Sequence, residues 1–471
     1  LFALVPMAVA VVSVPIYISQ IGLDRYGLLT LVWMATGLFT VFDLGLASAT
    51  NRFVARAGVR RGAANGVILT AVSVSLLLGG VLALLVWTVL GPLAFGAIAG
   101  PAGLGPEMAA ALPWIALLVP VVLVSAVLSA ALDGQRRFVL ANVIGAAGQV
   151  TTVLGTLAVA HVVGPHLGLL VFSVLATRVA VLLALAAVLL PELRGARLLT
   201  GRPLREMLRF GGWEALFAGV SGVVTSADRF VIGWLAGPTA TAIYAVPFSV
   251  TNRLHVFPGA VLRTLYPRLS AAPSAAVRDA LSLRAQRAAM ALITAMIVPA
   301  ILAAPPVFAV WLGADLGDRT APIVQMLLAA VLVQTVLGAL QVGLRAAGQP
   351  ARAAWTQCAL GLPFLAVLVA GVWVLGPIGA AFALLLRVTG EALWLLRATG
   401  QAGVLVPPLA GAFALCGLAA LVSRLGYDLP VGLALAALAL AGLLYGAMRV
   451  SDDLARLART AVARRSPGGV A

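Results

Sequence analysis

The residues best equipped for chemistry in this chain are charges in the wrong solvent. Arg178, Arg229, Arg253 and Arg387 each interrupt a stretch that is otherwise apolar over the length of a membrane-crossing helix, and Asp43, Glu214, Asp228 and Glu391 do so with the opposite sign. An ionisable side chain at a bilayer centre costs about 2.5–3.5 kcal/mol on insertion scales, so its retention is a functional hypothesis in itself. Guanidinium groups take phosphate oxygens in a forked geometry that survives partial loss of water. Hydroxyl and amide partners stand nearby. Thr36, Thr40, Asp43 and Thr50 recur at helical spacing, as do Glu214, Ser221, Thr225 and Asp228, while Ser249, Thr251, Asn252, Arg253 and His255 make too wide a polar arc for core packing alone. In lipid such a stripe must face protein or water. Nothing resembles a hydrolytic triad, a phosphate loop or a nucleotide-binding motif, so direct ATP drive is not expected. His161, His166 and His255 are scattered, and Cys358 and Cys416 fall in apolar stretches without metal-ligand spacing. No metal or cofactor is expected, although coupling to protons or sodium stays open.

These charges must be positioned by membrane spans. Of 471 residues, 62% are hydrophobic and 10% charged, against about 25% charged in soluble domains, and the mean hydropathy is +1.10. All 31 basic residues are arginine, against 15 acids, a net charge of +16. A nucleic-acid partner is excluded, because the arginines cluster between apolar stretches as the positive-inside rule demands. A ruler of about 20 apolar residues places fourteen spans, near 2–21, 26–49, 66–90, 109–132, 139–162, 168–190, 212–236, 240–262, 289–312, 321–344, 353–375, 377–397, 404–424 and 430–449. With the N-terminus inside, only Arg25, Arg319 and Arg424 fall in outside loops, and every other loop arginine falls inside. Both termini are therefore expected in the cytoplasm of a bacterial-type inner membrane. The opening span runs on too long for a cleaved signal, and a start at Leu1 leads us to expect a short preceding piece. The loop from Gly91 to Met108 is expected outside. Leu204–Phe210, Ala276–Ala288 and the tail from Ser451 read as short interfacial helices. No room is left for a soluble domain.

A repeat is visible. Val122–Phe138 matches Val331–Arg352; each continues through Gly-Gln to a Gly-Pro turn, at Gly164-Pro165 and Gly376-Pro377, and then to Arg178-Val179 and Arg387-Val388. Spans four to six thus match spans ten to twelve in the same orientation, which implies two lobes about an axis along the membrane normal. The expected lobes are 1–205 and 206–400, with the last two spans and tail in 401–471. Arg178 and Arg387 read better as charges holding each lobe together than as transport residues, with the second role left open.

Three stretches then carry a resemblance. They are Pro15-Ile-Tyr-Ile-Ser-Gln-Ile-Gly22 with Arg25-Tyr-Gly-Leu28; Phe42-Asp-Leu-Gly-Leu46 running into Asn51-Arg52-Phe53; and Asp228-Arg-Phe-Val-Ile-Gly233 with Ile243-Tyr244 and Leu265-Tyr-Pro-Arg-Leu-Ser270. Together, in this order and topology, they resemble the polysaccharide (O-antigen type) flippases of the multidrug/oligosaccharidyl-lipid/polysaccharide superfamily. The resemblance implies an all-α, V-shaped fold of two pseudo-symmetric six-helix lobes plus two extra helices, with a cavity lined by spans one, two, seven and eight. It implies an undecaprenyl-diphosphate-linked oligosaccharide as substrate, membrane lipids as surroundings and polysaccharide-assembly proteins of the same pathway as partners. Arg229, Arg253, Asn252, His255, Asp43, Arg52 and Asp228 are the candidate substrate-binding residues. Asp43 reads equally well as a buried carboxylate paired with arginine, and Arg52 as ordinary inside charge. Asp228 and Arg229, as neighbours on a helix, are expected to point apart and to need separate partners. Arg229 could snorkel outward, whereas Arg253 is expected to lie deeper. The alternative function is a cation-coupled drug or metabolite antiporter of the same fold. An acid-dominated cavity would favour it, and the charges here are mixed. A membrane polymerase or glycosyltransferase would need a larger outside domain.

The topology makes a direct prediction. A reporter fused after Arg60, Arg205 or Arg284 should report cytoplasm, and one after Gly100 or Gly317 the opposite side. A cytoplasmic signal at Gly317 would break the fourteen-span reading.

Overall fold

A computed structural model describes residues 4–43, 45–57, 61–193, 198–199, 202–255, 274–346 and 349–443. The Leu265–Ser270 motif, the tail from Ser451, and Arg60 and Arg194 lie outside the described residues. Among those described, the chain is all helix: α1 Leu4–Phe39, α2 Leu46–Ala57, α3 Arg61–Leu85, α4 Gly105–Gly134, α5 Phe138–Val162, α6 Leu167–Leu189, α7 Arg202–Arg253, α8 Ala275–Leu312, α9 Ala314–Ala346, α10 Pro350–Leu375, α11 Pro377–Ala398 and α12 Ala402–Ser423. A shorter apolar helix, α13, covers Leu429–Leu443. Among the described residues, eleven helices are long and apolar enough to cross a membrane. This is a multi-pass membrane protein.

Two of the eleven reverse within themselves. The 36 residues of α1 would run about 54 Å if straight, well beyond a hydrocarbon core of about 30 Å. Inside it Gly22 takes φ 80°, ψ 165°, and inside α7 Gly237 takes φ 85°, ψ 177°. Side chains with a Cβ resist that conformation. The consequence is visible in the packing. Tyr17 and Trp33, sixteen positions apart, have ring centroids 5.6 Å apart. Tyr244 likewise returns to within 2.7 Å of Asp228. Counting both reversals and α13, the described helices are consistent with about fourteen passes.

Three local expectations change. Beyond α3 the chain stays helical through wide turns at Val86–Leu90 and Pro92–Gly96 to Ala99, so the outside loop expected from Gly91 begins only near Gly100. Pro92 has no N–H to give a regular turn, and the helix widens instead of ending. Leu204–Phe210 and Ala276–Ala288 are not separate interfacial helices: each opens the long helix α7 or α8. The polar stripe expected from Thr36 to Thr50 is broken by a 3₁₀ turn at Thr40–Asp43 and by Gly45 at φ 67°.

The described residues form two compact units, one running to Val246 with Leu368–Ala380, the other comprising Pro247–Val367 and the chain from Ala381. In the first, α5 and α6 meet along small residues, as helices in lipid do where no hydrophobic drive brings them together. Thr152 lies 3.1 Å from Thr177, and the Ser173 hydroxyl donates to Thr156 at 2.9 Å. An apolar core of Leu46, Val67, Ile68, Val127, Leu132 and Leu189 gathers α2, α3, α4 and α6. In the second unit, α8 packs along α9 and α12. There Gln325 donates to Ser423 (2.7 Å) and to the Ile301 carbonyl (3.2 Å), which joins three helices. The two Gly-Pro turns of the repeat share a left-handed glycine, Gly164 at φ 118° and Gly376 at φ 61°.

The reversals of α1 and α7 are pressed together. Thr239 donates to Asp24, and a Cβ on Gly27 would overlap the Pro238 carbonyl. Gly27→Ala should therefore push the turns apart at a cost of about 1–3 kcal/mol, the usual range for overpacking. Thermal unfolding in detergent, followed by tryptophan fluorescence, should show a midpoint several degrees lower. An unchanged midpoint would mean that this contact does not hold the turns.

Candidate functional site

The most deeply buried charged cluster among the described residues of the first unit is built on the two arms of α7. Asp228 is 2% exposed and Tyr244, on the returning arm, is 0% exposed. Tyr244 donates its hydroxyl to Asp228 Oδ2 at 2.7 Å, and Arg229 donates to Oδ1 through its backbone N–H (2.9 Å) and Nε (3.1 Å). Neighbours on a helix were expected to need separate partners. The pair nevertheless forms, because an arginine stem is long enough to fold back over one residue. The pairing also removes the reason for Arg229 to snorkel outward. Counted from the Gly237 reversal at about 1.5 Å per residue, Arg229 lies about 12 Å along its arm and Arg253 about 24 Å along the other. Around the cluster, Phe230 meets Phe95 edge-on with centroids 6.2 Å apart. A Cβ on Gly233 would lie 3.1–3.3 Å from Ile98, Thr241 and Leu31.

The remaining candidates fall elsewhere. Asp43 is 7% exposed, and its carboxylate accepts from the backbone N–H groups of Gly45 (2.6 Å) and Ala47 (3.2 Å). It caps the start of α2, where the helix dipole favours a negative charge, so the arginine partner expected for it is replaced by backbone. Thr36 and Thr40 return their hydroxyls to the carbonyls of Trp33 and Gly37. Arg52 is exposed on α2. At the end of α7, in the second unit, Asn252 is exposed, and half-buried Arg253 donates from Nε to the Ser249 carbonyl at 3.1 Å. His255 is half-buried beside Gln334. Within the first unit, the structure thus joins Asp228 to Arg229 and keeps Asp43 on a separate element. The side chains of Glu214, Ser221 and Thr225 lie outside the described residues.

Two charged constellations escaped the sequence reading. Arg25 clamps Glu107 with both Nε (3.0 Å) and a terminal nitrogen (2.5 Å), and Glu107 also accepts from the Leu167 backbone N–H at 3.1 Å. One ion pair so ties α1 to the starts of α4 and α6. The signal was an arginine on the side where arginines are rare. In the second unit, Glu391 is 1% exposed and accepts from Gln341 Nε2 at 3.1 Å, while Arg387 lies 4.9 Å over the Phe364 ring. Both charges were visible in the sequence, but their partners on α9 and α10 were not. Among the described residues no cluster of three or more metal-ligating side chains occurs.

The structure defines a multi-pass helical membrane protein with buried intramembrane charges, and comparison with known proteins narrows that class. Residues 1–272 match the model of the polysaccharide biosynthesis protein family, and the chain belongs to that family. A Shigella flexneri protein provisionally named an O-antigen transporter is 24% identical over 399 residues, covering 83% of this chain and 93% of the relative. Among solved structures, the lipid II flippase MurJ in an inward closed conformation aligns with a TM-score of 0.73 at 11% identity, over 96% of this chain and 98% of that one. An inward-facing multidrug transporter of the MATE family, in the MOP superfamily, aligns with a TM-score of 0.70 at 15% identity, over 85% and 96%. The fold is the one these two transporters share.

The Asp228 cluster predicts an order of costs. Tyr244→Phe leaves one buried carboxylate oxygen without its donor, a loss of about 1–3 kcal/mol. Asp228→Ala leaves Arg229 without its carboxylate, a loss of about 3–5 kcal/mol. Chemical or thermal unfolding in detergent should rank wild type, then Tyr244→Phe, then Asp228→Ala. The reverse ranking would mean that Arg229 draws its stabilisation elsewhere.

Proposed function

We propose that this protein is a flippase that turns an undecaprenyl-diphosphate-linked oligosaccharide from the cytoplasmic to the outer leaflet of a bacterial inner membrane, for cell-surface polysaccharide assembly. Family membership carries this reading, and the Shigella relative and the lipid II flippase fold support it. In this reading the lobes 1–205 and 206–400 are the moving bodies, 401–471 is an appendage, and both termini are cytoplasmic. The protein is a carrier rather than an enzyme, and its partners are the lipid-linked sugar, the surrounding lipids and assembly proteins of the same pathway. The mixed charges favour it over the cation-coupled antiporter of the same fold.

The physical task is to carry a diphosphate across about 30 Å of hydrocarbon. Moving an unescorted anion through that medium is prohibitive. Preformed guanidinium groups replace part of the lost hydration, and hydroxyl and amide groups serve the sugars. Asp43, Arg52, Asp228, Arg229, Asn252, Arg253 and His255 remain the proposed contacts. Arg229 enters already paired with Asp228, so its removal disturbs two charges at once. Arg253 gives the cleaner test. Arg253→Ala should lower transport by about tenfold to a hundredfold, the range of one charged hydrogen bond, at normal expression. Arg253→Lys should rescue only part of that loss, because lysine keeps the charge without the fork. Full complementation of a flippase-null strain by well-expressed Arg253→Ala would remove Arg253 from the substrate path.

A further inference from the structure

The repeat places Arg178 and Arg387 at matching positions, yet the two are treated differently by their surroundings. Arg387 lies over the Phe364 ring. One helical turn further on stands Glu391, almost fully buried and held by Gln341. The second copy therefore carries its own counter-charge. In the first copy the residue one turn on from Arg178 is Leu182. Among the described residues no carboxylate pairs with the Arg178 guanidinium.

Position makes this unusual. Arg178 is central in α6, Leu167–Leu189, with about 16 Å of helix on either side. That exceeds what a side chain can cover by snorkelling. It shares a face with Leu167, Val171, Val174, Leu185 and Leu189, all buried, so it points into the packed side of α6. Half-buried itself, it remains reachable. A cation so placed, with no answering charge among the described residues of its own unit, is set up to receive one.

We propose that Arg178 binds a phosphate-ester anion within the membrane, whereas Arg387 is a structural charge neutralised inside its own unit. Resting on the flippase reading, the anion is the diphosphate of the lipid-linked substrate. A phospholipid headgroup offers the same chemistry from a second source. The forked guanidinium takes two phosphate oxygens at once, and Leu182 keeps that fork uncommitted by supplying no carboxylate.

The full chain in phosphatidylcholine nanodiscs tests this, with undecaprenyl diphosphate and uncharged undecaprenol as probes and tryptophan quenching as readout. Wild type should bind the diphosphate more tightly than the alcohol. Equal binding would sink the flippase reading itself, and this inference with it. If wild type discriminates, Arg178→Gln should reduce the preference by about tenfold or more, the scale of a charge-assisted contact, with undecaprenol binding unchanged. Arg387→Gln should lower the melting temperature and leave the preference intact. Leu182→Glu imports the counter-charge of the second copy; it should abolish the preference while the melting temperature holds or rises, which keeps the test decisive should Arg178→Gln fold poorly. Competition by added phosphatidylglycerol in wild type, lost in Arg178→Gln, would support the same site with the headgroup as a second ligand. A discriminating wild type whose preference survives Leu182→Glu in a stable protein would overturn the assignment of Arg178.

Discussion

Hydrocarbon offers no hydrogen bonds, so every polar group carried into it must be answered by the protein. Much of the described structure follows from that constraint. The hydroxyls of Thr70, Thr251, Thr294 and Thr335 all turn back to a carbonyl one turn earlier in their own helix. Asp43 is answered by backbone N–H groups, Asp228 by Tyr244 and Arg229, and Glu391 by Gln341. In each case the partner lies a few residues away in the chain, or on a segment brought back by a reversal or a neighbouring span. The constraint therefore couples charge placement to chain path: Asp228 can be buried only because Gly237 turns Tyr244 back to it.

The residues that carried the family resemblance can be read in the same terms. Tyr17, Gly22, Arg25, Tyr26 and Gly27 are the two ends of one reversal. Tyr17 stacks near Tyr26 and Trp33, Gly22 makes the turn, Arg25 ties it to α4 and α6, and Gly27 admits Pro238. Phe42-Asp-Leu-Gly45 is a helix break and cap rather than a polar stripe. Asp228, Gly233 and Tyr244 hold the second reversal closed, and Phe230 packs edge-on against Phe95. A motif that looks like a substrate signature in one dimension is, in large part, the hardware of two turns. Both arms of each reversal cross the membrane, so a side chain that stabilises the turn also sets the angle at which its arms diverge.

How much of this was legible follows from the range of each effect. Span number is set by summed hydropathy, which survives errors at single residues. Local pairings do not. The Asp228–Arg229 contact was missed because helical spacing describes where Cβ atoms point, and an arginine head sits far from its Cβ. Asp43 was matched with arginine when its partners were two N–H groups two and four residues on, a cap that only the positive φ of Gly45 makes available. The interfacial helices were separated from their spans because amphipathic and apolar stretches look distinct in composition, although nothing in Leu204–Phe210 or Ala276–Ala288 stops a helix. The partners of Glu391 and Arg387 lie 50 and 23 positions away, on helices whose rotation about their own axes no periodicity of small apolar residues could specify.

The two halves of a repeat begin with the same backbone and the same charges, and they differ by what each later adds. Carrying Glu391 one turn beyond Arg387 makes that arginine part of an internal arrangement, and an anion arriving there would have to compete with a covalently tethered carboxylate whose effective concentration exceeds that of any free ligand. Carrying Leu182 one turn beyond Arg178 removes that competitor. A carrier needs both kinds of charge. Neutralised charges fix how helices rotate against one another, since a buried pair has few acceptable geometries. Uncommitted charges supply attraction for a ligand that must enter, cross and leave, and they serve only if binding is strong enough to replace hydration and weak enough to release. Duplication followed by the loss or gain of a single carboxylate is a short route from one state to the other, and α6 and α11 stand at its two ends.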